Sequence, residues 1–153
     1  MEKLFVDLAI NIQAPVTNVW QAITESKKTL QWAKEFSSGG PKFHIESDWH
    51  LGSQVLWKAE DGTIIVEGNV TACEINKLLR YTVFDTRSAK PKVNGEDGIT
   101  FKLSENKGVT TLHILQGDFS VIPDGNGRKY RDLSEQVWLK VLPIIKSIAE
   151  KNL

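Results

Sequence analysis

Ile10-Asn11-Ile12-Gln13-Ala14-Pro15-Val16-Thr17-Asn18-Val19-Trp20 is the stretch of sequence that decides the fold. Apolar residues alternate with other residues from Leu4 to Ile12, which is the period of a half-buried strand. Pro15 disfavours a helical conformation at Ala14 but suits the first turn of a helix. Apolar residues from Val16 to Ile23 then follow at helical spacing. The sequence therefore predicts a strand that passes directly into a short helix.

The composition of the 153 residues is typical of one globular domain spanning 1–153, with 41% hydrophobic and 25% charged residues. Lys plus Arg equals Asp plus Glu, 19 against 19, so no net field favours nucleic acid or an anionic membrane. The single cysteine, Cys73, excludes an internal disulfide framework. The sequence shows no basic-then-apolar leader pattern and no apolar run of membrane-spanning length, so we expect neither secretion nor a membrane span. We therefore expect a cytoplasmic domain without nucleic-acid partner, membrane insertion or cofactor.

Strands dominate the middle of the chain, after a second short helix predicted over Thr29–Phe36. The period-two pattern and turn residues predict strands over 43–45, 53–59, 63–75, 78–85, 99–103 and 109–116. Asp61-Gly62 is a hairpin signal, and Gly68 indicates a bulge or bend. The polar stretch Thr86–Asp97 is predicted to be a loop.

A long amphipathic helix is predicted to begin near Arg128. Its apolar stripe consists of Leu133, Val137, Val141 and Ile145, widened by Trp138, Leu142 and Ile148. Pro143 lies inside this stripe, so we expect the helix to bend there instead of ending.

The order of elements predicts an α+β fold in which a curved antiparallel sheet of about six to seven strands wraps round the C-terminal helix. Such a sheet must cover its apolar concave face, and only the last helix is long enough to do so. A cavity commonly remains between a curved sheet and the helix that it grips, so we expect one here.

The chain resembles the START-like (SRPBCC) superfamily with the helix-grip fold. Within it, the chain is similar to the family homologous to the C-terminal domain of the activator of the 90-kDa heat-shock protein's ATPase. The matching pieces run nearly end to end: Ala14-Pro15-Val16 with Val19-Trp20, Leu30 with Trp32, Gly52, Asp61-Gly62 leading to Gly68-Asn69-Val70, Leu79-Arg80-Tyr81-Thr82, Val109-Thr110-Thr111-Leu112-His113-Ile114, and Trp138 with Val141-Leu142-Pro143.

The resemblance implies three kinds of function. Members of the superfamily carry lipids, polyketides and other apolar molecules, some are cyclases or hydrolases, and the family's name-giving members bind a chaperone. We therefore expect a protein that binds a small apolar or amphipathic ligand. A protein-interaction module that contacts a chaperone, and a polyketide-cyclase-like enzyme, are the alternatives.

Aromatic side chains are the candidate lining of the expected cavity. Five of them lie on apolar phases of strands or on the covering helices, and Phe36, Gln116 and Leu142 are added as neighbours. The candidate set is Trp32, Phe36, Trp57, Tyr81, Phe101, Gln116, Trp138 and Leu142. Tyr81 or Gln116 is the candidate polar contact to a ligand. The alternative, that these side chains only fill the core, stays open at this stage.

Motifs of catalysis or metal binding are missing from the sequence, which contains no hydrolase elbow, phosphate loop, dinucleotide fingerprint or zinc-protease motif. His44 and His50 flank Asp48, but neither helical nor strand spacing brings the three together, so we interpret both as surface histidines. His113 is predicted to face solvent, opposite Leu112. We therefore name no catalytic residue and no metal ligand.

Overall fold

The computed structural model describes residues 3–37, 42–86, 98–122 and 125–151. Its elements, in chain order, are β1 (Val6–Ile12), α1 (Val16–Thr24), α2 (Ser26–Ala33) with a 3₁₀ turn (Lys34–Ser37), β2 (Phe43–Glu46), β3 (Gln54–Ala59), β4 (Ile64–Glu74), β5 (Leu78–Tyr81), β6 (Phe84–Asp85), β7 (Gly98–Asn106), β8 (Val109–Gly117), a second 3₁₀ turn (Phe119–Val121) and α3 (Gly127–Lys151). The predicted α+β helix-grip fold is confirmed.

One antiparallel sheet contains all of these strands, in the order β1-β8-β7-β5-β4-β3-β2, with β6 paired to β4. The strand predicted over 78–85 is divided into β5 and β6, and α2 begins three residues earlier than predicted. Beyond Thr86, the predicted loop lies outside the described residues.

The junction between β1 and α1 forms as the sequence predicts. Pro15 is extended, with φ −67° and ψ 158°, and stands immediately before the first helical residue. Glu105 accepts a hydrogen bond from the Val16 amide (2.7 Å), and Glu150 accepts one from the Gln13 amide (2.8 Å). These carboxylates from β7 and α3 satisfy amides that neither the strand nor the helix can pair. The junction is thereby fixed against the rest of the fold.

Gly68 lies where β4 passes from pairing with β6 to pairing with β5. A Cβ at this position would lie 1.7 Å from the carbonyl oxygen of Thr82, so only glycine allows the two backbones to approach. The pairing of β4 shifts register on both sides of this point, at Trp57/Lys58 and at Val70/Ala72. The predicted bulge or bend is thus present as irregular pairing around a close backbone approach.

Helix α3 covers the sheet and continues through Pro143 to Lys151, so the prediction that it does not end there is confirmed. That it bends at the proline stays a prediction. The predicted stripe is wrong at Leu133, whose side chain is 56% exposed. Residues spaced by four drift about 40° per step round a helix, so three steps rotate Leu133 about 120° from Ile145.

Both edges of the sheet carry side-chain hydrogen bonds from the helical layer. At β2, Thr29 accepts from the Ile45 amide (2.9 Å) and Ser26 donates to the Ile45 carbonyl (3.0 Å). Just before β1, Arg131 of α3 donates to the Phe5 carbonyl (2.9 Å). Such contacts occupy groups that could otherwise pair with another strand.

Within the described residues, no helix is long and apolar enough to cross a membrane.

Candidate functional site

A cluster of aromatic rings lies between the sheet and the helices. Neighbouring ring centroids are 5.1–6.5 Å apart. We call the following residues the aromatic cluster: Trp32, Phe36, Phe43, Trp49, Trp57, Tyr81, Phe101 and Trp138. The structure thus brings together all six aromatic residues of the candidate set, and Leu142 is also buried, at 4% exposure.

Two members of the aromatic cluster were missed by the sequence reasoning. Phe43 shares the inward phase of β2 with Ile45, and this alternation could have revealed it. Trp49 lies in the loop between β2 and β3 with a positive φ of 55°, where no periodicity applies. Its ring lies 5.7 Å from that of Tyr81.

Strand pairing positions the sheet side of the cluster. β5 and β7 are neighbours, and Leu79 pairs with Phe101 while Tyr81 pairs with Ile99. Because alternate residues of a strand point to the same face, Tyr81 and Phe101 lie diagonally on the concave face, and their ring centroids are 6.1 Å apart. Trp57 reaches the same face from β3, and 2% of its surface is exposed.

Three indole N–H groups of the cluster are held by the protein itself. Trp32 donates to the carbonyl of Ala22 (2.9 Å) and Trp49 to that of Thr24 (3.1 Å). Trp138 donates to Oε1 of Gln116 (2.8 Å), and both of these side chains are buried. The Gln116 oxygen therefore has a structural partner, and its predicted contact to a ligand stays a prediction.

Two buried polar atoms of the cluster have no hydrogen-bond partner among the described residues: Nε1 of Trp57 and the hydroxyl oxygen of Tyr81. We call them the donor pair. Burial raises the pKa of Tyr81, and a hydrogen-bond-type contact from the Trp57 indole opposes part of that rise. The contact does not reach the distance and angle of a hydrogen bond, so it satisfies neither polar atom. The phenol therefore remains protonated at neutral pH and can donate.

Among the described residues, none of the buried polar side chains is charged. The buried polar residues in the described part of the chain are all neutral: Thr24, Thr29, Thr100, Thr110 and Gln116. A buried polar atom without a partner costs free energy, roughly 1–3 kcal/mol, and is uncommon in native proteins. The donor pair is therefore the feature of this core that packing alone does not explain.

Phe36 lies at the boundary between the aromatic cluster and solvent. It is half-buried in the 3₁₀ turn after α2, and its ring lies 5.4 Å from Trp57 and 5.1 Å from Trp138. Trp57 and Trp138 are themselves at most 2% exposed. Phe36 therefore joins the partly exposed margin of the cluster to Trp57, which carries one atom of the donor pair.

A separate groove of about 380 Å³ lies on the surface beside α3. Its lining combines charged, polar and apolar side chains of α2, the first 3₁₀ turn and the last turns of α3: Gln31, Lys34, Glu35, Pro143, Ile144, Ser147, Ile148 and Lys151. None of the candidate site residues lines it.

Two of the three histidines form side-chain contacts with carboxylates, and the third, His50, is exposed. His44 bonds to Glu46 (2.8 Å), and hydrogen bonds from Lys58 and then His44 lower the pKa of Glu46. His113 lies on the face opposite Leu112, as predicted, and bonds to Asp7. Across the described residues, no group of three or more His, Cys, Asp or Glu side chains is arranged to hold a metal.

The sequence profile described as activator of Hsp90 ATPase homolog 1-like protein matches residues 13–150. The chain belongs to this family. The match begins directly after β1 and includes α1, the aromatic cluster and nearly all of α3. A search of curated proteins gave no significant match.

Solved structures with the same fold cover almost the whole chain. The solution structure of ChR145 from Cytophaga hutchinsonii has 24% identity and a TM-score of 0.72, covering 99% of this chain and 98% of its own. The Aha1 dimer from Colwellia psychrerythraea has 17% identity and a TM-score of 0.70, with 96% of each chain covered. DynU16, from the dynemicin biosynthetic locus, has 20% identity and a TM-score of 0.68, covering 99% of this chain and 49% of its own. At these identities the likeness shows the fold alone.

Proposed function

We propose that this protein binds one small apolar or amphipathic molecule between the sheet and α3, within the aromatic cluster. The donor pair is the observation that carries the proposal. A ligand whose polar atom reaches Trp57 and Tyr81 would supply the hydrogen bonds that these buried groups lack.

The chemistry of the aromatic cluster supports the same proposal. Binding sites for small molecules are mostly apolar and contain a few polar groups that fix the ligand's orientation. Here the rings offer flat apolar contacts, while the indoles of Trp32 and Trp138 are held by the fold. The donor pair is left to orient a ligand, and Phe36 lies where such a ligand would enter.

Titration with N-phenyl-1-naphthylamine, an uncharged apolar fluorophore, tests the proposal. We expect one probe per chain at micromolar concentration, with quenching of tryptophan emission because the probe would lie against the indoles. Phe36→Ala should change the binding rate, since it removes the ring at the boundary. Leu139→Ala is the matched control, because Leu139 is an apolar residue of α3 that is 50% exposed and is not a member of the cluster.

Two results would contradict ligand binding in the core. One is a folded protein that binds no probe at micromolar concentration. The other is binding that Leu139→Ala abolishes and Phe36→Ala leaves unchanged, because the probe would then occupy the outer surface.

Contact with a chaperone of the 90-kDa heat-shock class is the second candidate, favoured by two exposed apolar side chains. Leu51 is 76% exposed and Ile75 is 72% exposed. Leu51 precedes β3 and Ile75 follows β4. Because these two strands are antiparallel, both side chains lie at the same end of the sheet. Calorimetric titration against the host's own chaperone tests this role. Binding that a Leu51→Ser, Ile75→Ser variant loses would support it. Mixing without heat at both 10 and 30 °C would exclude it, because apolar burial changes the heat capacity and cannot be heatless at both temperatures.

A further inference from the structure

We infer that the molecule held in the aromatic cluster is uncharged and that its carbonyl-type oxygen, a hydrogen-bond acceptor, accepts from both Nε1 of Trp57 and the hydroxyl of Tyr81. This inference rests on the proposed function and specifies the chemical class of its ligand.

The hydrogen-bonding capacity of the two side chains limits what can satisfy them together. An indole N–H only donates, and the Tyr81 phenol stays protonated because burial raises its pKa. A carbonyl oxygen has two lone pairs and no hydrogen, so it can accept from both groups at once. An alcohol oxygen could also accept from both groups, but its own hydrogen would then have no partner among the rings of the cluster. An ammonium group offers Trp57 no acceptor at all.

Three other indoles of the same cluster already use this kind of partner. Trp32 and Trp49 donate to the backbone carbonyls of Ala22 and Thr24, and Trp138 donates to the amide carbonyl of Gln116. Trp57 is the member of the set for which the described residues provide no carbonyl oxygen. A ligand carbonyl would complete the same pattern.

The charge of the surroundings excludes a buried anion. The polar residues buried in the described part of the core are threonines and one glutamine, so no buried cationic side chain of that part accompanies the donor pair. Transfer of a carboxylate into such surroundings carries a large desolvation cost that two neutral donors do not offset. The acceptor is therefore a neutral ketone, ester, amide or quinone oxygen and not a carboxylate.

Three naphthalenes of nearly equal shape test the inference by displacement of N-phenyl-1-naphthylamine: 2-acetylnaphthalene, 2-ethylnaphthalene and 2-naphthoate. In the wild-type protein the ketone should displace the probe and the carboxylate should be the weakest competitor. Tyr81→Phe should weaken the ketone by about 3- to 10-fold, the effect of losing one buried hydrogen bond, and leave the hydrocarbon unchanged. Leu139→Ala should change neither affinity.

The indole N–H resonance of Trp57, assigned with Trp57→Phe, gives a readout that does not depend on affinity. The ketone should shift this resonance downfield because the N–H enters a hydrogen bond, whereas the hydrocarbon should not. If Tyr81→Phe lowers the affinities for ketone and hydrocarbon equally, or if the ketone does not shift the Trp57 resonance, the acceptor inference is wrong. The proposal that the cluster binds a ligand would not be affected by either result. If neither the fluorophore nor any naphthalene binds the folded wild-type protein, the proposed function falls as well.

Discussion

Tyr81→Phe should stabilise the ligand-free protein, although it removes a polar group from a fully buried residue. The Tyr81 hydroxyl is 0% exposed and has no hydrogen-bond partner among the described residues. Removing such a group relieves a desolvation penalty of roughly 1–3 kcal/mol, from which the void left by one oxygen subtracts a part. We expect a net gain of about 1 kcal/mol, which raises the melting temperature of a domain of this size by about 2–4 °C.

Gln116→Met is the matched control, because it also removes one buried polar group but from a satisfied pair. Oε1 of Gln116 accepts from the Trp138 indole at 2.8 Å, and methionine has a similar volume without that acceptor. The indole N–H would be left unpaired in the core, at a cost of roughly 1–3 kcal/mol. The two substitutions should therefore change the free energy of unfolding in opposite directions.

Urea unfolding, followed by tryptophan fluorescence and by circular dichroism, measures both variants. Coincident transitions and an unchanged m-value would show that a shift of the midpoint reports stability alone. A loss of more than about 1 kcal/mol in Tyr81→Phe would refute the reasoning, because it would show that the hydroxyl has a partner, such as an ordered water. The donor pair would then not be free to bind a ligand.

Three further predictions concern pH and the long helix. Burial raises the folded-state pKa of Tyr81 above its usual 10.0, so the free energy of unfolding should fall as the pH rises above 10. The fall should be less steep in Tyr81→Phe, and denaturation titrations at pH 9–11 measure both proteins. Partial burial of Asp118 raises its pKa, but hydrogen bonds from the Ser120 and Leu4 amides outweigh that effect and lower the pKa below 3.8. Asp118→Asn should therefore be less stable than wild type at pH 6. The difference in the free energy of unfolding should shrink as the pH falls below 3.8. Pro143→Ala, at an exposed position inside α3, should restore one backbone hydrogen bond and change the thermal midpoint little while altering probe affinity; an unchanged affinity would show that the proline does not set the depth of the site.

The fold could be predicted from the sequence because its signals are local. The alternation before Pro15, the Asp61-Gly62 turn and the apolar stripe of α3 each depend on residues only a few positions apart. Those signals weaken where contacts between distant residues decide the conformation. At Gly68 the sequence indicates a bulge or bend, but it does not show that the carbonyl of Thr82 makes glycine necessary there. Leu133 is a second case, since a spacing of four does not remain on one helical face over three steps.

The candidate site was predictable only as a set of rings. Periodicity places Trp57 and Trp138 on apolar faces and predicts their burial, and both are at most 2% exposed. It cannot show that one indole meets an acceptor and the other does not. That difference depends on Gln116, which lies on β8 opposite α3 and 22 residues away from its partner in the chain. Hydrogen-bond satisfaction is a property of the assembled core, and single-sequence patterns carry little information about it.

The same rings would hold a ligand and hold the fold together, which determines how function can be tested. Truncating Trp138 or Phe101 would remove core packing along with any ligand contact, and large-to-small changes of buried aromatic residues cost roughly 3–5 kcal/mol. Loss of binding in such variants would therefore carry no information about the site. Removing the Tyr81 hydroxyl leaves the ring in place and should raise stability while it lowers affinity for an acceptor ligand. A stability gain combined with a binding loss cannot arise from damage to the core, so this one substitution separates the two roles of the cluster.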